Sequence, residues 1–264
     1  MKNNNIILYA IIAFLIICCS TQTEKIKKSD IYFSKALEFF EDEKYSKAKS
    51  YFQNIIDEYA GTEMAIDALY YLAFCEYELK DFSNAKQSFK IYNRYSQDIL
   101  KIQSARFMIC RCMFDLTLDY SKDQSDTYSA LEEFQLFIEE YPSSKYEDEA
   151  SEKIELLRNK LALKKYDVAK LYIKSDKFDS ARLYINQLLK EYYDTPYSDD
   201  AHIANIIMLL MENKSSQAEG YLNKNKDKFH SDQKYDEAQN IISNSNKRLK
   251  IKKIYFLDYI NKIL

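Results

Sequence analysis

Glycine is nearly absent from this 264-residue chain: Gly61 and Gly220 are the whole supply, with two prolines and no tryptophan. Two isolated glycines cannot build a loop that brings several backbone amides against a phosphate, which excludes the familiar nucleotide-binding folds. The same scarcity argues against a β-rich fold, because tight hairpin turns draw on residues that accept positive φ. Imidazole is as rare. His202 and His230 stand far apart with no cysteine beside them, so neither HExxH nor a zinc-finger spacing can be drawn, and no metal site is expected. Charge of one sign is also missing: 38 basic and 41 acidic side chains leave a net charge of −3, mixed along the chain, with no electrostatic footprint for nucleic acid. There is no GxSxG, no cysteine with a nearby histidine and no carboxylate pair in a glycine-lined cleft, so nothing points to an enzyme or a cofactor. Glu139-Glu140 and Asp199-Asp200 read as solvated helix or loop charges.

What is present is apolar and helical. Apolar residues make up 47% and charged residues 30%, enough for a folded body with a sizeable core. The run from Ile6 to Ile17 is too short to cross a bilayer, which takes about 20 residues, and fits the apolar core of a signal peptide over residues 1–18. It ends Leu15-Ile16-Ile17-Cys18-Cys19-Ser20, which resembles a bacterial lipobox. Cys19 is the better candidate for lipidation because Cys18 is then the small residue before it; Cys18 is the alternative. The resemblance to lipoproteins implies a diacylglycerol thioether and a palmitoylated new N-terminus at Cys19, and several acyl chains anchor far more firmly than one. Ser20 at the next position implies the outer membrane. Residues 19–30 then form the lipidated end and a tether. The remaining cysteines, Cys75, Cys110 and Cys112, read as small buried hydrophobes.

From Asp30 onward one frame recurs. Ala36, Tyr45, Ala48 and Phe52 are followed 37 residues later by Ala73, Phe82, Ala85 and Phe89. Cys110, Ala130 and Phe134 make a third unit, longer by an insertion around Asp119 to Asp126. Ala169, Phe178, Ala181 and Ile185 make a fourth; Ile206, Ala218 and Leu222 make a fifth, again 37 residues on. Small residues at these offsets let two antiparallel helices approach closely while aromatics fill the gap to the next pair. The frame resembles the tetratricopeptide repeat. It predicts an all-α, right-handed solenoid of about five helix pairs, with repeats 1–3 over residues 31–145, repeats 4–5 over 146–230, and a C-terminal capping or partner helix in 231–264. Turns are expected at Asp42-Glu43-Lys44, Lys80-Asp81 and Ser175-Asp176-Lys177, and the breaker-free stretch Tyr146 to Lys174 predicts one long helix. Leu249, Phe256, Leu257, Ile260, Ile263 and Leu264 share one helical face behind a basic start at Lys247.

A closer resemblance rests on Ala130 to Thr195. Tyr141, Pro142, Ser144 and Tyr146 close the third unit. Arg158, Leu161, Ala162, Lys165, Tyr166, Val168, Ala169 and Tyr172 follow, and Tyr192, Asp194 and Thr195 end the next pair. This pattern, with the lipobox, resembles the BamD family of outer-membrane lipoproteins over residues 19 to about 220. The chain departs from it in Tyr193, where the family usually has proline, in lacking an Arg-Asp-Pro-like element before Ala130, and in residues 230–264. The resemblance implies a non-enzymatic scaffold of β-barrel assembly on the periplasmic face of the outer membrane. Its implied partners are the POTRA domain of BamA, other lipoproteins of the assembly complex and unfolded outer-membrane proteins. Lys174, Arg182 and Lys190 are candidate contacts for BamA. The helix positions facing a concave side in repeats 1–3 are Phe33, Leu37, Phe40, Tyr70, Phe74, Tyr77, Phe107, Arg111 and Phe114, expected to form an aromatic peptide groove in which Arg111 pairs a C-terminal carboxylate. The competing expectation is that these rings pack on neighbouring helices. Another lipid-anchored envelope scaffold built on the same repeat is the competing function.

Overall fold

The computed structural model describes residues 30–247, and every regular element among them is helical. A first helix, α1, covers 30–41. It is followed by α2 (Tyr45–Glu58), α3 (Glu63–Glu78), α4 (Phe82–Tyr95), α5 (Ile99–Asp115), α6 (Ser125–Glu140), α7 (Glu147–Lys174), α8 (Phe178–Glu191), α9 (Tyr197–Met211), α10 (Ser215–Lys224) and α11 (Asp232–Lys247), with a short 3-10 turn at Lys226–Lys228. The expected long helix is α7. Cys18, Cys19 and the tether, as well as the apolar face beyond Lys247, lie outside the described residues.

The repeat frame is a packing frame. Ala36, Ala48, Ala73, Ala85, Cys110, Ala130, Ala169, Ala181 and Ala218 are all fully buried, and so are Phe52, Phe89, Phe134 and Ile185. Each fully buried phenylalanine contributes about 2–3 kcal/mol of apolar transfer. Each alanine marks a place where a larger side chain would separate two helices, at about 1–3 kcal/mol.

How the pairs turn is where glycine scarcity matters. Left-handed backbone is adopted by Glu43 (φ 58), Lys80 (φ 62), Asp176 (φ 57) and Asn213 (φ 62), one at the end of the first helix of repeats 1, 2, 4 and 5. In each, the left-handed residue donates to the carbonyl three back and the next residue to the carbonyl five back. Lys80 N donates to Tyr77 O and Asp81 N to Glu76 O, both at 2.8 Å. Glu43 and Lys44, Asp176 and Lys177, Asn213 and Lys214 repeat the pattern. This is the Schellman closure, normally given to glycine. The residue that ends it opens the next helix at once: the carbonyls of Lys44, Asp81, Lys177 and Lys214 accept from the amides of Ala48, Ala85, Ala181 and Ala218. Turn and close-approach alanine are therefore locked to one register.

The described helices form two compact units that part between Leu116 and Thr117, at the end of α5 and just before the insertion of the third repeat. In the first, α2 packs on α3, α3 on α4 and α4 on α5. Thr62 and Asp98 cap α3 and α5 through their side-chain oxygens. One buried charge crosses this core: Glu76, 6% exposed, accepts from Ser88 Oγ at 2.7 Å and pairs with Lys49 at 3.2 Å. In the second unit, α6 packs on α7, α7 on α8, α8 on α9, and α11 against α9 and α10. The insertion is tied down there. Buried Gln124 donates to the carbonyls of Asp119, Lys122 and Asp123, while Lys160 and Lys164 on α7 donate to Leu118 O and Ser121 O.

Candidate functional site

The nine residues expected to line a groove all belong to the first unit, and the helices bring eight of them to half-buried positions. Their rings are engaged with one another and with the second helix of each pair. Phe33 meets Phe52 and Tyr71 edge-on at 5.8 and 6.0 Å, Phe40 meets Tyr45 and Tyr71, and Phe74 meets Phe89 at 5.0 Å. Tyr70 Oη donates to Ser104 Oγ at 2.9 Å, and Tyr77 Oη to the Asp115 carboxylate at 2.7 Å. Arg111 lies over the Tyr77 ring, its guanidinium carbon 5.0 Å from the centroid. Burial and the Asp115 carboxylate push the Tyr77 phenol well above the usual range. Phe107 is the exception: at 1% exposure its ring belongs to the interior and cannot line an open surface. The physical reason is that α5 carries apolar residues at Phe107, Met108 and Ile109, so its buried arc is wider than the frame of α1 and α3 implies.

In the second unit Lys174 and Lys190 are exposed, and Arg182 is half-buried. Arg182 donates to Glu212, which caps the C-terminus of α9, and pairs with Asp179 at 3.2 Å, while Lys214 reaches Glu212 at 3.3 Å. Arg182 therefore ties α8 to the end of α9. The two cations hold the Glu212 carboxyl below its ordinary range against the opposing effect of burial.

The motif residues serve as a clasp. Arg158 on α7 donates through Nε to Asp194 at 3.2 Å, pairs with the same carboxylate through its terminal nitrogen, and reaches Glu191 O at 2.8 Å. The guanidinium also lies over the Tyr192 ring, 5.4 Å from its centroid. Thr195 is buried and bonds back to Tyr192 O. Arg158, Tyr192, Asp194 and Thr195 thus pin the turn between α8 and α9 onto α7.

Three residues on α9 were misread or missed in the sequence. Asp199 and Asp200 are not solvated charges but 4% and 8% exposed. Asp199 accepts from the backbone amides of His230 and Ser231, both at 3.0 Å, just ahead of α11, and Asp200 pairs with Lys234 of α11 at 2.8 Å. Burial raises the Asp200 carboxyl pKa, opposed by Lys234. The adjacent acids are a socket for the C-terminal helix. His202, 3% exposed, is wedged between Tyr221 and Phe229, with ring centroids at 5.8 and 5.2 Å. It backs a cleft of about 670 Å³ whose wall also includes Lys190, Tyr193, Tyr221, Lys228 and His230. No sequence spacing announces this cleft, because its residues come from three separate segments. The one available signal was a polar residue inside the apolar run of α9.

Among the described residues no group of histidine, cysteine and acidic side chains is placed to hold a metal, and no helix is long and apolar enough to cross a membrane. The helix pairs define a tetratricopeptide-like repeat protein, whose kind presents faces to other proteins. The chain belongs to the YfiO family of outer membrane lipoproteins, which matches residues 24–220. It is similar to the outer membrane protein assembly factor BamD of Rickettsia prowazekii (strain Madrid E), 23% identical over 169 residues, which are 64% of this chain and 67% of that protein.

Proposed function

We propose that this outer membrane lipoprotein is a non-enzymatic scaffold of β-barrel assembly, held by acyl chains on Cys19, with Cys18 the alternative, on the periplasmic face. The family match and the name of the Rickettsia relative support that role. The observation that carries it into this chain is the repetition of half-buried rings at one register on α1, α3 and α5. Rings fixed on their inner faces by neighbours present rigid edges at little entropic cost, as peptide-binding surfaces do. An extended segment of an unfolded outer-membrane protein would lay alternate aromatic side chains against Phe33, Leu37, Phe40, Tyr70, Phe74, Tyr77 and Phe114, and Arg111 over the Tyr77 ring would receive its terminal carboxylate. The POTRA domain of BamA would dock on the second unit, where Lys174 and Lys190 stand exposed and Arg182 is partly so. Other lipoproteins of the complex are further partners.

Tyr77→Ala and Arg111→Ala should each weaken binding of a C-terminal barrel peptide about tenfold, or roughly 1.4 kcal/mol. Binding unchanged in both would remove the substrate surface from the first unit. Co-purification of BamA with the intact lipoprotein tests the complex itself, and recovery of cell-wall synthesis proteins in its place would favour the other kind of envelope scaffold. Cys19→Ser should release the protein from membranes; release by Cys18→Ser alone would assign the anchor to Cys18.

A further inference from the structure

The cleft behind α8 and α9 has an internal hydrogen-bond order that prepares its back wall. His202 Nδ1 lies 2.8 Å from Tyr221 Oη, and Asn205 Nδ2 donates to the same oxygen at 3.0 Å. Asn205 takes one of the two lone pairs of the Tyr221 oxygen, and a tyrosine proton turned to His202 Nδ1 leaves the neutral imidazole with its hydrogen on Nε2. Burial favours the neutral form, and Lys228 adds to that effect. Nε2–H then remains as a donor with no hydrogen-bond partner among the described residues, on a ring 97% withdrawn from solvent yet forming part of the cleft.

The walls favour an anion. Lys190 from α8 and Lys228 from the 3-10 turn bring two ammonium groups to the cleft, against the single carboxylate of Asp227. Asp227 disfavours a dianion such as phosphate, and no arginine offers the fork that phosphate commonly meets. Leu189 and Tyr193, the latter 63% exposed, give the rim an apolar side that fits the carbon chain behind a carboxylate. We propose that this cleft seats a glutamate or aspartate side chain of a docked protein, with His202 in its Nε2–H tautomer donating to one oxygen and Lys190 and Lys228 supplying the charge. The proposal rests on the reading of the second unit as a partner-docking body and names the chemistry that body recognises. Asn205 and Tyr221 are positioning residues, acting through His202.

The chain has only two imidazoles, so histidine-labelled nitrogen NMR of the full lipidated protein in detergent micelles resolves His202 directly. Even without ligand it should show protonated Nε2, and hydrogen on Nδ1 instead would overturn the proposal. Titration with a blocked tetraglutamate peptide should shift that signal saturably, blocked tetralysine should not, and Lys190→Ala with Lys228→Ala should weaken the tetraglutamate response at least tenfold. Both lysines are exposed, so the double variant keeps its fold, checked by its helical melting curve. No His202 response to tetraglutamate, equal affinity in the double variant, or a response to phosphatidylglycerol vesicles or inorganic phosphate but not to the peptide would overturn the proposal. BamA recovery from the same variants separates the two levels. Undiminished BamA capture by the double variant sinks the carboxylate seat alone, whereas a normal peptide response with no BamA captured by the wild type sinks the partner reading alone.

Discussion

Acidification should loosen the second unit through His202. Burial is the main reason its pKa falls to about 4; Lys228 and His230 push the same way and Asp199 opposes them. In the unfolded chain the group titrates near 6.5. The unfolded state therefore takes up the proton first, so the stability contributed by neutral, buried His202 is whole above about pH 6.5 and is lost progressively down to about pH 4. Integrating over the window between pH 7 and pH 5 gives a loss of about 2 kcal/mol. For a body of this size that lowers Tm by roughly 4–8 °C. With no tryptophan in the chain, helical circular dichroism is the natural probe, read with amide exchange of α9 to locate the weakening. His202→Gln removes the titration and should flatten the curve over the same window, even if its starting stability is lower. An unchanged slope in that variant would refute the assignment, since the acid sensitivity would then belong to another group.

Three further expectations follow from the packing. Cys75 and Cys112 are fully buried, and burial pushes both thiols up to about 12, so neither should react with iodoacetamide until the first unit unfolds; rapid native labelling of either contradicts their placement. Lys80→Gly should stabilise by about 0.5–1 kcal/mol, because Lys80 holds left-handed backbone at a Schellman position, and a loss in melting midpoint would count against that turn geometry. Arg158→Ala should cost about 1–2 kcal/mol, discounted for the half-exposed Asp194 partner, with faster amide exchange in the α8–α9 turn; exchange unchanged there would mean the clasp carries no stability.

The sequence alone determined the helices and their pairing. Alanine and aromatic residues at fixed offsets have one packing consequence, close helix approach, and the structure fully buries the alanines with Phe52, Phe89 and Phe134, while Tyr45, Phe82 and Phe178 are half-buried. It also carried the long α7, since nothing between Tyr146 and Lys174 breaks a helix. Its family signature was legible in Arg158, Tyr192 and Asp194, though not what those residues do. Only the tertiary structure decided which polar residues are structural. Asp199 and Asp200 look like surface charge because composition cannot show that α11 returns to cover them, and their partners, the amides of His230 and Ser231 and the Lys234 ammonium, lie some thirty residues downstream. Phe107 passes for a groove residue because register fixes the face of a helix but not how wide its buried arc is. The turns at Glu43, Lys80 and Asp176 were legible, but their left-handed backbone was not, because a chain with two glycines assigns that conformation to Glu, Lys, Asp and Asn. The cleft at His202 was invisible for the most general reason. Local periodicity places a side chain on its own element, whereas a site made of α8, α9 and the α10–α11 connection exists only once three elements have met.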